Sequence, residues 1–143
     1  MTATNPKTFF EPTTNAIIIP DADTDIHKVI PRWSDERLKK PAIIVIPSSQ
    51  DDIIAAVHYA RENSLTLLAG SGGHKVVPID EKTLYLDMRN FKGIKVDKDN
   101  EVTEIGGAVT NSELMIALLE DGYYTSTWET FTACSFRVTH QIY

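Results

Sequence analysis

The stretch Gly70-Ser71-Gly72-Gly73-His74-Lys75 sets three glycines within four positions directly beside an imidazole. Glycine lets a backbone turn sharply and come close to a ligand. Bare N–H groups in such a turn form an anion-binding concavity. The neighbouring His74 adds a side chain that is nucleophilic near neutral pH. The chemistry on offer is therefore a phosphate cradle with a nucleophile at its rim. Two stricter motifs fail. A P-loop needs Gly-Lys-Ser/Thr, but His74 precedes the lysine and Val76 follows it. A dinucleotide fingerprint needs glycine where Lys75 stands. On its residues alone the cluster serves a flexible turn between two strands as well as it serves a phosphate.

Other candidates carry less. Asp21, Asp23 and Asp25 alternate like the start of a calcium loop, yet its sixth position is Ile26 and its twelfth Arg32. An EF-hand needs glycine and glutamate there, so a solvated acidic loop is expected and no metal site. His27, His58 and His140 lack ligand spacing. His58 lies one residue from an apolar helix face and reads as a partly buried packing residue. No Gly-x-Ser-x-Gly motif marks a nucleophile. The basic cluster 37–40 reads as a solvated turn.

The elements that must position the glycine cluster follow from patterning. Residues 42–46 are a β-branched run closed by Pro47, the mark of a buried strand. Ser48-Ser49 offers a helix cap, with Asp51 and Asp52 suited to a first turn. Ile53, Ile54, Val57 and Ala60 then define one helix face, and the helix ends near Glu62-Asn63. Residues 65–69 form a second strand, so 42–69 read as a β-α-β unit delivering the chain into the glycines. Further strands are predicted over 83–87, 93–97 and 101–105, the last two as a hairpin about Asp97-Lys98-Asp99-Asn100. Gly106-Gly107 end the fifth strand. Thr110 and Glu113 fit a capping box for a helix through 114–119, which is apolar on nearly every face and expected to be deeply buried. Gly122 fits its C′ position. Residues 1–40 hold four of the seven prolines, which excludes sustained helix or central strand, though 31–37 could hold a helical turn. Phe136, Val138 and Ile142 share one alternation phase, consistent with a terminal strand.

Composition bounds the whole. The chain has 143 residues, 42% hydrophobic and 24% charged, with net charge −6. That is ordinary globular usage and excludes wholesale disorder. About 150 residues can bury ~70% of the unfolded surface, enough for a core. The acidic balance argues against nucleic acid as a partner, which demands a basic face. One cysteine, Cys134, excludes an internal disulfide. With no leader pattern and no membrane-length apolar run, a cytoplasmic location and no membrane partner are expected.

Taken in order, several segments resemble the flavin-binding domain of FAD-linked oxidases of the vanillyl-alcohol oxidase or p-cresol methylhydroxylase (PCMH) type, and its berberine-bridge-enzyme-like branch in particular. They are Arg32-Trp33-Ser34, the strand and helix start over 41–53, Leu68 to His74, Leu84-Tyr85-Leu86-Asp87-Met88-Arg89, and Val102 to Val109. The resemblance spans about residues 32–125. It implies FAD as cofactor, with Gly70, Ser71, Gly72 and Gly73 at its pyrophosphate and Gly106 and Gly107 near it. His74 matches the histidine that bonds covalently to the flavin in this branch. The implied chemistry is hydride removal from an alcohol or similar small organic substrate, with oxygen as acceptor. Departures are Ala69-Gly70, where many members have arginine, and Lys75 after the histidine. After Thr125 the family's second glycine-rich segment gives way to Trp128, Glu129, Phe131 and Cys134, and no role is carried over to Cys134.

The expectation is thus an α+β fold, the N-terminal part of a PCMH-type domain with small mixed sheets packed with two helices. An irregular segment 1–37 would precede a truncated flavin-binding domain over 38–143. No catalytic residue is assigned. The alternatives are a non-catalytic truncated remnant and an unrelated α/β module binding a phosphate or nucleotide.

Overall fold

A computed structural model describes residues 5–10, 17–30, 32–74, 76–126 and 140–141. They fall into two compact units, Met1–Asn90 and Phe91–Tyr143. The α+β expectation holds.

In the first unit, α1 (Pro6–Phe10), β1 (Ile17–Ile18) and α2 (Ile26–Val29) precede β2 (Ile43–Val45), α3 (Gln50–Glu62), β3 (Thr66–Gly70) and β4 (Thr83–Asp87). The four strands form one sheet in the order β1-β2-β4-β3. β2, β4 and β3 run parallel, and β1 pairs antiparallel on the outer edge of β2. The β2-α3-β3 unit leaves a gap that β4 fills, so its two strands are parallel without being neighbours.

Strand alternation sends successive side chains to opposite sheet faces. Ile43, Val45, Leu84 and Leu86 meet α1 and α3 through Phe10, Ala56, Tyr59 and Ala60. Ile44 and Tyr85 point the other way and meet Ile26, Ile30 and Ile79. Both faces are covered, as a parallel sheet requires. Residues before position 38 therefore complete both cores. The helical turn there falls at 26–29 rather than over 31–37.

Helix α3 starts at Ser49, whose hydroxyl accepts from the Asp52 N–H at 3.2 Å while Asp52 Oδ2 accepts from the Ser49 and Ser48 N–H groups at 2.9 and 2.7 Å. This capping box fixes the helix rotation with Asp52, Ala56, Tyr59 and Ala60 inward. Ile54 and Val57, assigned to the buried face from spacing, are exposed. The bulky Tyr59 ring, packed on Phe9 and Phe10, takes the inward position instead. His58 is exposed, not partly buried.

The second unit holds β5 (Ile94–Asp97), β6 (Val102–Ile105), α4 (Asn111–Glu120) and β7 (His140–Gln141) in a sheet of order β5-β6-β7. Asp97 organises the hairpin turn by accepting from the N–H groups of Asp99 and Asn100 at 3.2 and 3.1 Å. Gly122, at φ +80°, ends α4 as expected. That helix is not buried all round. Leu114 and Leu118 pack on Ile105 and Val109, whereas Ile116 and Leu119 are 58% and 65% exposed. A small sheet can cover only one stripe of a helix. Phe136, Val138 and Ile142 lie outside the described residues.

The α4 cap carries a pH expectation. Glu113 accepts from the Thr110 N–H at 2.8 Å and pairs with the Lys92 ammonium. The Lys92 hydrogen bond, then the Thr110 N–H, lower its pKa from 4.5 to about 2. A carboxylate depressed in the folded state contributes stability above its unfolded pKa and loses it as pH falls through the folded one. Glu113 is part-exposed, so solvent screening holds the pair to ~1 kcal/mol or less. The melting midpoint of this unit should fall between pH 4.5 and 2, and more shallowly in Lys92→Met. Equal slopes in both proteins would contradict the assignment.

Candidate functional site

The carboxyl ends of the three parallel strands lie at one edge of the first sheet, and each feeds a polar segment. β2 runs into Pro47-Ser48-Ser49 and the α3 N-terminus. β3 runs into Ser71-Gly72-Gly73-His74. β4 runs into Met88-Arg89-Asn90. In open α/β sheets, ligands sit outside this edge. Register puts Gly70 opposite Asp87. The three segments are cross-tied: the Met88 N–H donates to the Gly70 carbonyl at 2.8 Å, and Asn90 Nδ2 donates to the Pro47 carbonyl at 3.2 Å.

The glycine loop is held from its far side by the lead-in segment. The Trp33 N–H donates to the Gly73 carbonyl at 3.2 Å, Arg32 Nη2 to the Val77 carbonyl at 2.7 Å, and Lys39 and Arg37 bracket Ile79 through backbone bonds. Gly73 sits at φ +69°, in the left-handed region that glycine enters freely. His74 follows, half-buried. Lys75 lies outside the described residues.

Gly70 has a reason internal to the fold. A Cβ there would lie 1.9 Å from the Tyr85 hydroxyl and 2.3 Å from Cζ. The ring occupies the space beside the strand, so any side chain at 70 would have to displace it.

Beneath the loop lies a network that sequence reasoning missed. Asp87, its side chain 3% exposed, accepts from the Arg89 N–H at 3.0 Å and from Arg89 Nε at 2.9 Å, and pairs with Arg89 Nη2. The same Nη2 donates to the Val29 carbonyl at 2.8 Å. The Asp87 hydrogen bond pushes the guanidinium above its already high pKa. In sequence, Leu86-Asp87-Met88-Arg89 reads as a strand end and as part of the family resemblance, not as an ion pair. A charged pair at i, i+2 across a strand end was the available signal.

Gly106 and Gly107 lie in the second unit, where β6 turns toward α4. They differ. A Cβ on Gly106 would meet the Phe91 carbonyl oxygen at 2.3 Å, and the Gly106 N–H donates to the Gly93 carbonyl at 2.8 Å. That glycine is required by the local fold. Among the described residues a Cβ on Gly107 would meet nothing within 4 Å, and its φ is not one that strains other residues. Nothing among the described residues of its unit demands glycine at 107.

The remaining candidates find ordinary partners. Asp21 accepts from the Thr24 hydroxyl and the Asp23 N–H at 2.6 and 3.1 Å, and Asp25 pairs with Lys28 at 3.3 Å. His27 Nδ1 pairs with Asp35 at 3.0 Å. Among the described residues no group of three or more His, Cys, Asp or Glu side chains could hold a metal ion. No helix among them is long and apolar enough to cross a membrane. Cys134 and the His140 side chain lie outside the description.

Comparison with known proteins fits this geometry. The family model described as FAD binding domain matches residues 41–136. The FAD-linked oxidoreductase hasG of Aspergillus fumigatus is 28% identical over 87% of this chain and 27% of its own length. Reticuline oxidase of Eschscholzia californica is 23% identical over 76% of this chain and 22% of its own. The crystal structure of 6-hydroxy-D-nicotine oxidase from Arthrobacter nicotinovorans superposes with a TM-score of 0.76 at 25% identity, covering 85% of this chain and 27% of that one. The chain spans about a quarter of the length of the relatives it matches.

Proposed function

We propose, for a chain that belongs to the FAD-binding domain family and takes FAD as its cofactor, that it supplies part of the flavin site of an oxidoreductase acting on a small organic substrate. One observation carries the reading. A glycine loop with a left-handed glycine leaves the carboxyl end of a parallel strand, with an imidazole as its next residue. In this reading the N–H groups of Ser71, Gly72 and Gly73 donate to the pyrophosphate. Such donors in a tight turn bind an anion without a cationic side chain. Gly70 holds the loop's start against β4, and His74 is the point of covalent attachment to the flavin. Gly107 lets the backbone approach the cofactor, while Gly106 shapes the turn that presents it. Bound FAD would supply the hydride acceptor for an alcohol or similar substrate, and oxygen the final acceptor.

The test uses the 143-residue chain loaded with FAD. Intact mass should show one added FAD in the wild type. His74→Ala should lose the adduct yet still bind FAD reversibly. Gly107→Ala should leave the melting midpoint unchanged, because its Cβ meets none of the described residues, and should weaken FAD binding about tenfold, the scale of one lost hydrogen bond. Phosphate binding without FAD binding would favour the unrelated phosphate module and overturn the reading.

A further inference from the structure

Two backbone bonds hold the carbonyls that flank the glycine loop. Met88 donates to Gly70 at its start and Trp33 donates to Gly73 near its end. Met88 and Trp33 lie 55 residues apart in sequence. One side chain links the structures that carry them. Arg89, next to Met88, locks onto the buried Asp87, which is in register with Gly70. Its Nη2 also donates to the Val29 carbonyl at 2.8 Å. Val29 ends α2, and the chain then passes the fully buried Ile30 to reach Trp33. The path closes on itself: Gly70, Met88, Arg89, Val29, Trp33, Gly73. A guanidinium suits this place because its fixed planar fork can serve a carboxylate and a carbonyl at once. The Asp87 side chain is nearly inaccessible, and removing Arg89 would leave it without its ion-pair partner.

We infer that Arg89 is a positioning residue for the cofactor loop, tying the end of β4 to α2 so that both carbonyl anchors of Gly70–Gly73 stay in place. The inference rests on the assignment of that loop to FAD. It needs no contact between Arg89 and the cofactor. Arg89 fixes where the loop's N–H groups point, and misplacing them by an ångström would forfeit much of their use.

The test compares wild type, Arg89→Lys and Arg89→Met as 143-residue chains, first without FAD. Lysine keeps the charge beside Asp87 but is a single point donor and cannot span both acceptors. Amide hydrogen exchange should quicken about tenfold at the Trp33 and Met88 N–H groups in Arg89→Lys, a local opening. Exchange at Tyr59, Ala60, Leu114 and Leu118 should stay as in wild type. FAD titration should then show about tenfold weaker binding, the scale of one lost hydrogen bond, with altered visible absorption of the bound flavin. Wild-type exchange at Trp33 and Met88 in the lysine variant would overturn the inference. So would uniform acceleration at all six amides, which marks a merely structural pair. If Arg89→Met fails to fold, the lysine variant alone decides. Failure of the wild type to bind FAD would sink the flavin reading, while the exchange data would still report on the clamp.

Discussion

Gly70→Ala is expected to destabilise the first unit by about 2 kcal/mol and to abolish FAD loading. Two effects oppose each other. Alanine normally gains up to about 0.5–1 kcal/mol over glycine where the backbone is extended, because glycine loses more freedom on folding. Forcing a methyl into filled space costs about 1–3 kcal/mol. Here the methyl would sit 1.9, 2.3 and 2.6 Å from three atoms of the Tyr85 ring. That ring is buried against Ile26, Ile30, Ile44 and Ile79, so moving it would cost that packing. The clash therefore wins, and it lies beside the Gly70 carbonyl that receives the Met88 N–H. Urea unfolding measures the loss. At about 4–8 °C per kcal/mol for a domain near this size, the melting midpoint should drop by roughly 10 °C. Second-site variants identify the cause. Tyr85→Phe should not rescue, because Cζ and Cε2 remain within 2.6 Å. Tyr85→Leu removes those atoms and should restore part of the loss. A midpoint at or above wild type in Gly70→Ala would mean the ring does not occupy that space.

The same residue marks where the sequence was legible and where it was not. The strand-to-loop position of Gly70 could be read from the apolar run before it, and the resemblance to FAD-linked oxidases supplied an expected role for the loop. The Thr110 capping box and a helix cap at Ser48-Ser49 were legible because a cap is a local pattern, with donor and acceptor three residues apart, while the reciprocal bond from Asp52 emerged only in the structure. The tie between Arg89 and Val29 spans 60 residues and leaves no trace in local periodicity. The exposed side of α4 illustrates the reverse error. Ile116 and Leu119 are apolar, but apolar type does not reveal how much sheet is present to cover them. Gly106 and Gly107 looked alike in sequence. Only a neighbour's position distinguishes a glycine the fold requires from one it does not.

The segment before position 38 yields the largest stability effect, although proline punctuation made it look irregular. Phe10→Ala should cost about 3–5 kcal/mol, the usual range for removing a fully buried aromatic side chain. Phe10 is fully buried. Its ring lies 5.2 Å from both Phe9 and Tyr59, and Phe9 lies 5.1 Å from Tyr59. These tilted and edge-on contacts each add about 0.5–1.5 kcal/mol beyond area burial. Helix α1 has five residues and could not persist alone, since nucleation outweighs so few hydrogen bonds. It is helical because Pro6 suits a first turn and because Phe10 docks between α3 and the sheet. Truncation should therefore release the whole of α1, not leave a tidy cavity. Tyr59 would then be uncovered, and its fluorescence and the urea midpoint should change together. Phe9→Ala should cost less, as Phe9 is only partly buried. A Phe10→Ala loss under about 1 kcal/mol, in the range of a surface substitution, would show that residues 6–10 are dispensable to the core. A loss near 4 kcal/mol would be a large share of the ~5–15 kcal/mol that holds a domain together. It would also place Tyr59 and the Asp52 cap, and with them the whole rotation of α3 that opens onto the glycine loop's edge of the sheet, under the control of a residue outside the matched family region.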